Sequence, residues 1–155
     1  MDYAITTQEY EQIRTLLYAE SGISLGDSKQ SLVVSRLTKR LHDLQLESFG
    51  SYYQYVTQDD SGEEFTRMLD LLSTNKTDFF REPKHFDFLR ERILPTLQQD
   101  KHIRIWSSAC STGEEPYTIA MTLYDAVKSP ALWNFQILAS DISTRVLAHA
   151  AKGLY

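Results

Sequence analysis

Apolar residues recur at helical spacing through the first 73 positions of the chain. Tyr10, Ile13, Leu16 and Leu17 fall on one face of a helix that opens on a Thr6–Glu9 capping box and stops at Gly22, where the absence of a Cβ permits a left-handed residue. A second helix is expected from about Asp27 to about Leu44, with Val34, Leu37, Leu41 and Leu44 as its buried stripe. Phe49, Tyr52, Tyr53 and Val56 predict a short third helix, and Phe65, Met68, Leu69 and Leu72 a fourth behind a capping Ser61.

From Ile103 the period changes. IRIW is short and β-prone, a turn of small residues follows, and Glu114 to Val127 reads as a helix with Pro116 in its first turn, where proline removes no hydrogen bond. Beyond the KSP break, FQILAS reads as a second strand and ISTRVLAHAAKG as a second helix with Gly153 as its stop. Strand, turn, helix, strand, helix is a βαβα unit and predicts a parallel sheet. Two strands cannot cover their own faces and edges, so the chain reads as the front part of a longer protein.

Composition narrows the class. A chain of 155 residues that is 42% hydrophobic can bury a core as one domain or two small ones. No apolar run approaches the ~18 residues of a membrane-spanning helix. The opening MDYAITTQEYEQ lacks the basic and apolar regions of a signal peptide, so neither secretion nor membrane insertion is expected. The single cysteine, Cys110, excludes an internal disulfide and fits a reducing compartment, which makes cytoplasm the expected location. A net charge of -5 argues against a chain-wide attraction to nucleic acid or anionic lipid. Within residues 1–73, which hold 6 basic and 12 acidic side chains, Lys29, Arg36, Lys39 and Arg40 nevertheless cluster in the second helix. Lys29, Arg36 and Arg40 share a face away from the apolar stripe, either as a solvated face or as a dock for an acidic partner.

The candidate chemistry lies in WSSACSTGEEPYTIAM, Trp106 to Met121. In βαβ units the loop after the first strand is the usual ligand seat, and a phosphate is its common occupant. Here the P-loop lysine is missing and Glu114 and Glu115 would repel an anion, so a ligand with a cationic part suits the turn better. S-adenosylmethionine has an ammonium, a sulfonium and no phosphate. A carboxylate after the turn can hold its ammonium, and Asp141, ending ILASD 28 residues after Gly113, can take its ribose hydroxyls. Each acid also has a plain structural role, Glu114 and Glu115 at a helix dipole and Asp141 as a cap. A second constellation, STNKTDFFREPKHF, offers donors in Asn75, Thr77 and Arg81 and apolar surface in Phe79 and Phe80. Its plainer reading is a helix connection with the phenylalanines in the core and Pro83 starting the next helix.

STNKTDFFREPKHF, followed by IRIWSSACSTGEEPYTIAM and then ILASDISTRVLAHAAKGLY, resembles the chemotaxis receptor protein-glutamate methyltransferases, the CheR family. The preceding helices are similar to that family's N-terminal domain, so the likeness covers essentially the whole chain. Cys110 in the turn, and Thr118 where a serine is common, are small departures. The resemblance implies an α/β protein: a small all-α domain over residues 1–73, a connecting segment and helix over 74–102, and the first βαβα part of a Rossmann-like methyltransferase domain over 103–155, its remainder absent. It implies S-adenosyl-L-methionine as cofactor, S-adenosyl-L-homocysteine as product, and methyl esters formed on glutamates in the cytoplasmic methylation region of chemoreceptors. By position, Asn75, Thr77 and Arg81 would belong to the cofactor site, with Arg81 also catalytic beside the reacting methyl. Glu115 would hold the methionine ammonium, Asp141 the ribose, and the turn from Ala109 to Gly113 would pack against the cofactor. The basic helix, with Lys29, Arg36, Lys39 and Arg40, would face the receptor. No metal, nucleic acid or membrane insertion is implied. Two alternatives stand beside this reading: a thiol enzyme using Cys110 at a nucleophile elbow, which needs a histidine that no spacing supplies, and a non-catalytic module that binds cofactor or receptor.

Overall fold

A computed structural model of the chain describes residues 3–155, and the chain divides into two units between Ser73 and Thr74. The first unit is helical. Helix α1 (Thr7–Ser21) carries the expected capping box: Thr6 Oγ1 accepts from the Glu9 N–H at 3.2 Å, and Glu9 Oε2 accepts from the Thr6 N–H at 2.8 Å. It ends at Gly22 with φ 73°. Helix α2 (Gln30–Asp43) begins later than the pattern predicts, behind a 3-10 turn over Asp27–Lys29. Tyr10 Oη donates to Gly26 O at 2.7 Å and Arg14 donates to Asp27 at 2.6 Å, ties to α1 that hold the entry in the tighter turn.

The buried residues of α2 are Val33, Leu37 and Leu41, with Val34 and Leu44 half-buried beside them, so Leu37 and Leu41 stand as predicted while Val33 takes the place of Val34. Helices α3 (Phe49–Thr57) and α4 (Glu63–Leu72) complete a core that includes Ile13, Leu17, Phe49, Tyr52 and Met68. The cap of α4 is Gly62 at φ 71°, not Ser61. Asp59 Oδ2 accepts from the Glu64 N–H at 2.8 Å and Ser61 Oγ from the Glu63 N–H at 3.2 Å, so two side chains ahead of the glycine share the capping work.

Glu64 is buried, and three donor atoms meet its carboxylate: Arg40 Nε at 2.9 Å, Arg40 Nη2, and Tyr52 Oη at 3.0 Å. The hydrogen bond to Glu64 holds the Arg40 guanidinium more firmly protonated. Burial, then the Glu64 charge, pushes the Tyr52 phenol well above its ordinary range. Arg40 therefore leaves the solvated basic face on which spacing placed it, because its partner lies on another helix.

In the second unit Pro83 opens α5 (Pro83–Phe88), which runs on through a wide turn over Leu89–Ile93 and a 3-10 turn over Leu94–Leu97. Strands β1 (His102–Ser107) and β2 (Asn134–Ala139) pair in parallel, from His102 opposite Asn134 to Ser107 opposite Ala139, and α6 (Glu114–Ala126) connects them. Helix α7 (Thr144–Ala150) follows and ends before Gly153, as the Lys152 and Gly153 N–H groups turn back onto the His149 and Ala150 carbonyls. One sheet face packs Ile103, Ile105, Phe135 and Ile137 with Phe86, Leu94, Ile119 and Leu123. Alternation turns Trp106 and Leu138, paired in register, to the other face, where they are 65% and 63% exposed. Among the described residues no helix is long and apolar enough to cross a membrane.

Candidate functional site

The end of β1 sets the site. Ser107 alternates onto the buried face with Ile103 and Ile105, and its Oγ donates to Glu115 Oε1 at 2.6 Å across the turn. Beyond the strand ends the parallel ladder continues: the Ser140 N–H donates to Ser107 O at 3.0 Å and the Cys110 N–H to Ser140 O at 2.9 Å. This brings the β2 exit, and with it Asp141, beside the turn.

Ser111 is the joint. Its N–H donates to Asp141 Oδ2 at 2.8 Å, and its Oγ donates to Asn75 O at 2.8 Å. The other Asp141 oxygen accepts from the Ser143 N–H at 2.9 Å. Asp141 is thus both the cap that the plain reading predicts and a carboxylate aimed by the turn. Each of its oxygens carries two lone pairs, so one hydrogen bond per oxygen leaves acceptor capacity.

Gly113 opens α6 at φ 104°, a conformation that side chains rarely adopt. A Cβ there would stand 2.3 Å from Tyr155 Oη and 3.2 Å from the Ala150 Cα, so the turn has no room for one. Glu114 and Glu115 occupy the first turn of α6, where the helix dipole favours negative charge. Glu115 remains exposed although Ser107 holds one of its oxygens.

The segment over 74–82 is tied to the same turn. Beyond the Asn75 carbonyl, the Phe80 N–H donates at 3.2 Å to Thr118 Oγ1, which itself donates to Glu114 O at 2.6 Å. The phenylalanines are not core, as the plainer reading had them: Phe79 and Phe80 are exposed, held out by a backbone that is left-handed at Phe80 and Glu82. Ser111 is left-handed too, so three of the five described non-glycine residues with positive φ lie in these two segments. Such strain persists only where the surroundings hold it, and it gathers at functional sites.

Asn75, Glu115 and Asp141 are therefore brought together with Gly113. Arg81 is exposed and reaches back to Lys76 O at 2.8 Å, while Thr77 is half-buried and Ala109 exposed. Of the predicted basic set, Lys29 sits in the 3-10 turn, Arg36 donates to Leu71 O and Ser73 O, Lys39 is exposed, and Arg40 holds Glu64. Sequence reasoning passed over Ser107 and Tyr155, and reached Ser111 only as part of the turn from Ala109 to Gly113; the strand alternation could have found Ser107, but no local signal marks Tyr155.

Burial, followed by the Asp141 and then the Glu115 charge, pushes the Cys110 thiol above its ordinary pKa. That is the reverse of what a nucleophilic thiolate needs. The turn gathers carboxylates and contains no lysine, a donor set that fits a cationic ligand and repels a phosphate.

Comparison with known proteins identifies the family. The model described as CheR methyltransferase, SAM binding domain, matches residues 75–155, and the one described as CheR methyltransferase, all-alpha domain, matches residues 8–73. The chain belongs to the CheR methyltransferase family. It is 42% identical to chemotaxis protein methyltransferase 2 of Pseudomonas aeruginosa, over 99% of this chain and 54% of that protein. It is 39% identical to the chemotaxis protein methyltransferase of Borreliella burgdorferi, over 97% of this chain and 56% of that protein. The Escherichia coli relative of that name is also 39% identical, over 98% of this chain and 52% of that protein. The chain spans about half the length of these curated relatives. Its second unit carries the CheR SAM-binding domain, and S-adenosylmethionine, cationic and free of phosphate, fits the carboxylates around Gly113.

Proposed function

We propose that this chain carries part of the cofactor cradle of a protein-glutamate methyltransferase that acts on the cytoplasmic methylation region of chemoreceptors. Glu115 would hold the methionine ammonium and Asp141 the ribose hydroxyls, with Asn75, Thr77, Arg81 and the turn from Ala109 to Gly113 around them. The observation that carries this reading is the Ser111 joint, which draws the Asn75 segment and Asp141 onto one turn while Ser107 aims Glu115 from the same strand.

When bound, S-adenosylmethionine supplies an electrophilic methyl on sulfur. The accepting glutamate is ionised at neutral pH, its reference pKa being about 4.3, so the chain needs no general base. Its own work is alignment and exclusion of water. The exposed Phe79 and Phe80 offer apolar surface for the second task. Arg81 serves as a positioning residue, since a tight bond to the accepting oxygen would blunt the nucleophile. Lys29 and Lys39, with the exposed Arg36 that also donates to Leu71 O and Ser73 O, would meet an acidic receptor segment; Arg40 is committed to Glu64. The cytoplasm is where such a target would be met.

The test is a calorimetric titration of the chain with S-adenosylhomocysteine, paired with a tritiated-methyl assay that scores base-labile label on receptor. Glu115→Gln and Asp141→Asn should each weaken binding about tenfold or more, the scale of a hydrogen bond to a charged group. Arg81→Lys should lower turnover sharply. Unchanged affinity in both acid variants would sink the reading. The alternative is a non-catalytic cofactor- or receptor-binding module. Cofactor binding with no base-labile label on receptor would select it.

A further inference from the structure

A second cluster of cations, on α7 and just beyond it, has no part in the cofactor reading. Arg145 and His149, four residues apart, share a face of α7, and Lys152 follows in the turn just beyond its end. All three are exposed. Among the described residues no carboxylate forms an ion pair with Arg145 or Lys152, whereas Arg14 pairs with Glu11 and Asp27, Arg40 with Glu64 and Arg90 with Asp87. Arg145, His149 and Lys152 line a groove of about 570 Å³ together with Val146, Asn75 and Thr112. The groove thus opens beside the candidate cofactor turn, sharing Asn75 and Thr112 with that site.

We propose that this groove seats an acidic peptide segment, the carboxylates that flank an accepting glutamate, with Arg145 and Lys152 as its main contacts. The proposal rests on the methyltransferase reading, which supplies the segment's chemistry. Spacing selects a peptide. Arg145 lies in the first turn of α7 and Lys152 beyond its last, and the helix between them is roughly 10 Å long, so the charges do not converge on one point as a single phosphate requires. Side chains one or two helical turns apart on a glutamate-rich peptide match that span. A nucleic acid or an anionic lipid surface would have to approach a chain of net charge -5 beside Glu114 and Asp141. An acidic peptide of few charges meets less of that repulsion.

The test is fluorescence anisotropy of a labelled helical peptide with glutamate every third or fourth position, against the same peptide with glutamine. The chain and two double variants are compared: Arg145→Glu with Lys152→Glu, and Arg145→Gln with Lys152→Gln. Charge reversal should weaken binding of the glutamate peptide about tenfold, the sum of exposed pairs turned from attraction to repulsion, and neutralisation should weaken it less. Raising salt from about 0.05 M to about 0.5 M should erase the difference. Affinity unchanged within twofold in the neutral variant overturns the proposal, as does equal binding of the glutamine peptide. Equally tight binding of a short oligonucleotide or an anionic vesicle overturns it too, because the groove would then read charge alone. If reversal unfolds the chain, seen by circular dichroism, the neutral variant decides. S-adenosylhomocysteine titration separates the two readings: its failure in the parent chain removes the methyltransferase reading, while the peptide result stands or falls on Arg145 and Lys152.

Discussion

The two units use their polar groups in opposite ways. In the helical unit polar side chains meet partners within the unit: Glu64 takes Arg40 and Tyr52 inside the core, and the half-buried Glu9 caps its own helix and also accepts from the Gly50 N–H at 2.7 Å. In the α/β unit the short hydroxyl side chains of Ser107, Ser111 and Thr118 aim acids and pin loops, while Glu115, Phe79, Phe80 and Trp106 stay exposed. Backbone strain follows the same division. Gln45 is the one described non-glycine residue of the helical unit with positive φ, against Phe80, Glu82, Lys101 and Ser111 in the other. A core satisfied from within is a platform. A turn held in strained geometry with charge left accessible is built to meet something else.

Four predictions test this contrast. The largest effect is expected at Glu64→Ala, which strands the Arg40 guanidinium and the Tyr52 hydroxyl; the helical unit should lose about 3 kcal/mol in urea unfolding. A loss near zero would mean that the network is not sealed from solvent. Next, Gly113→Ala should destabilise the α/β unit by about 2 kcal/mol, because φ 104° is strained for alanine and Tyr155 Oη stands in the way. Adding Tyr155→Phe should recover part of that loss by removing the obstructing oxygen, and full recovery would show that backbone strain contributes nothing.

Thr118→Val comes third, at about 1 kcal/mol, since it leaves the Phe80 N–H without its acceptor. Thr118→Ser, which keeps the hydroxyl, should cost less, and the order of the two can be read from thermal melts.

Glu9 gives the smallest and most specific effect. Burial raises its pKa, but the hydrogen bonds from Thr6 and Gly50 outweigh burial and leave it lowered. Its contribution is therefore full at neutral pH and is lost as pH falls through the depressed native value. The Tm difference between the parent and Glu9→Gln should be clear at pH 7 and close to zero near pH ~3. A difference that grows toward acid would reverse the assignment.

Local signals were readable in the sequence wherever the partners lie within one turn. The Thr6–Glu9 box, the Gly22 stop, Pro83 and Pro116 in first turns, and the switch to a βαβα pattern at Ile103 all emerge as the spacing requires. The family, and with it a candidate cofactor, was legible from three ordered motifs. The misreadings have a common cause. Val33 replaces Val34 in the buried stripe because both neighbours are apolar and only packing against other helices selects between them. Arg40 looked solvated because Glu64 is 24 residues away, and the phenylalanines looked buried because nothing local announces a left-handed Phe80.

By itself the sequence determined element type, order and family, because helix periodicity, caps and strand alternation act over a few residues at a time. The tertiary structure alone decided which charges are spent and which are offered. Asp141 meets Ser111 across 30 residues, Ser111 meets Asn75 across 36, and Arg40 meets Glu64 across 24. Distances of that order are closed by the packing of whole elements, and no local preference encodes them.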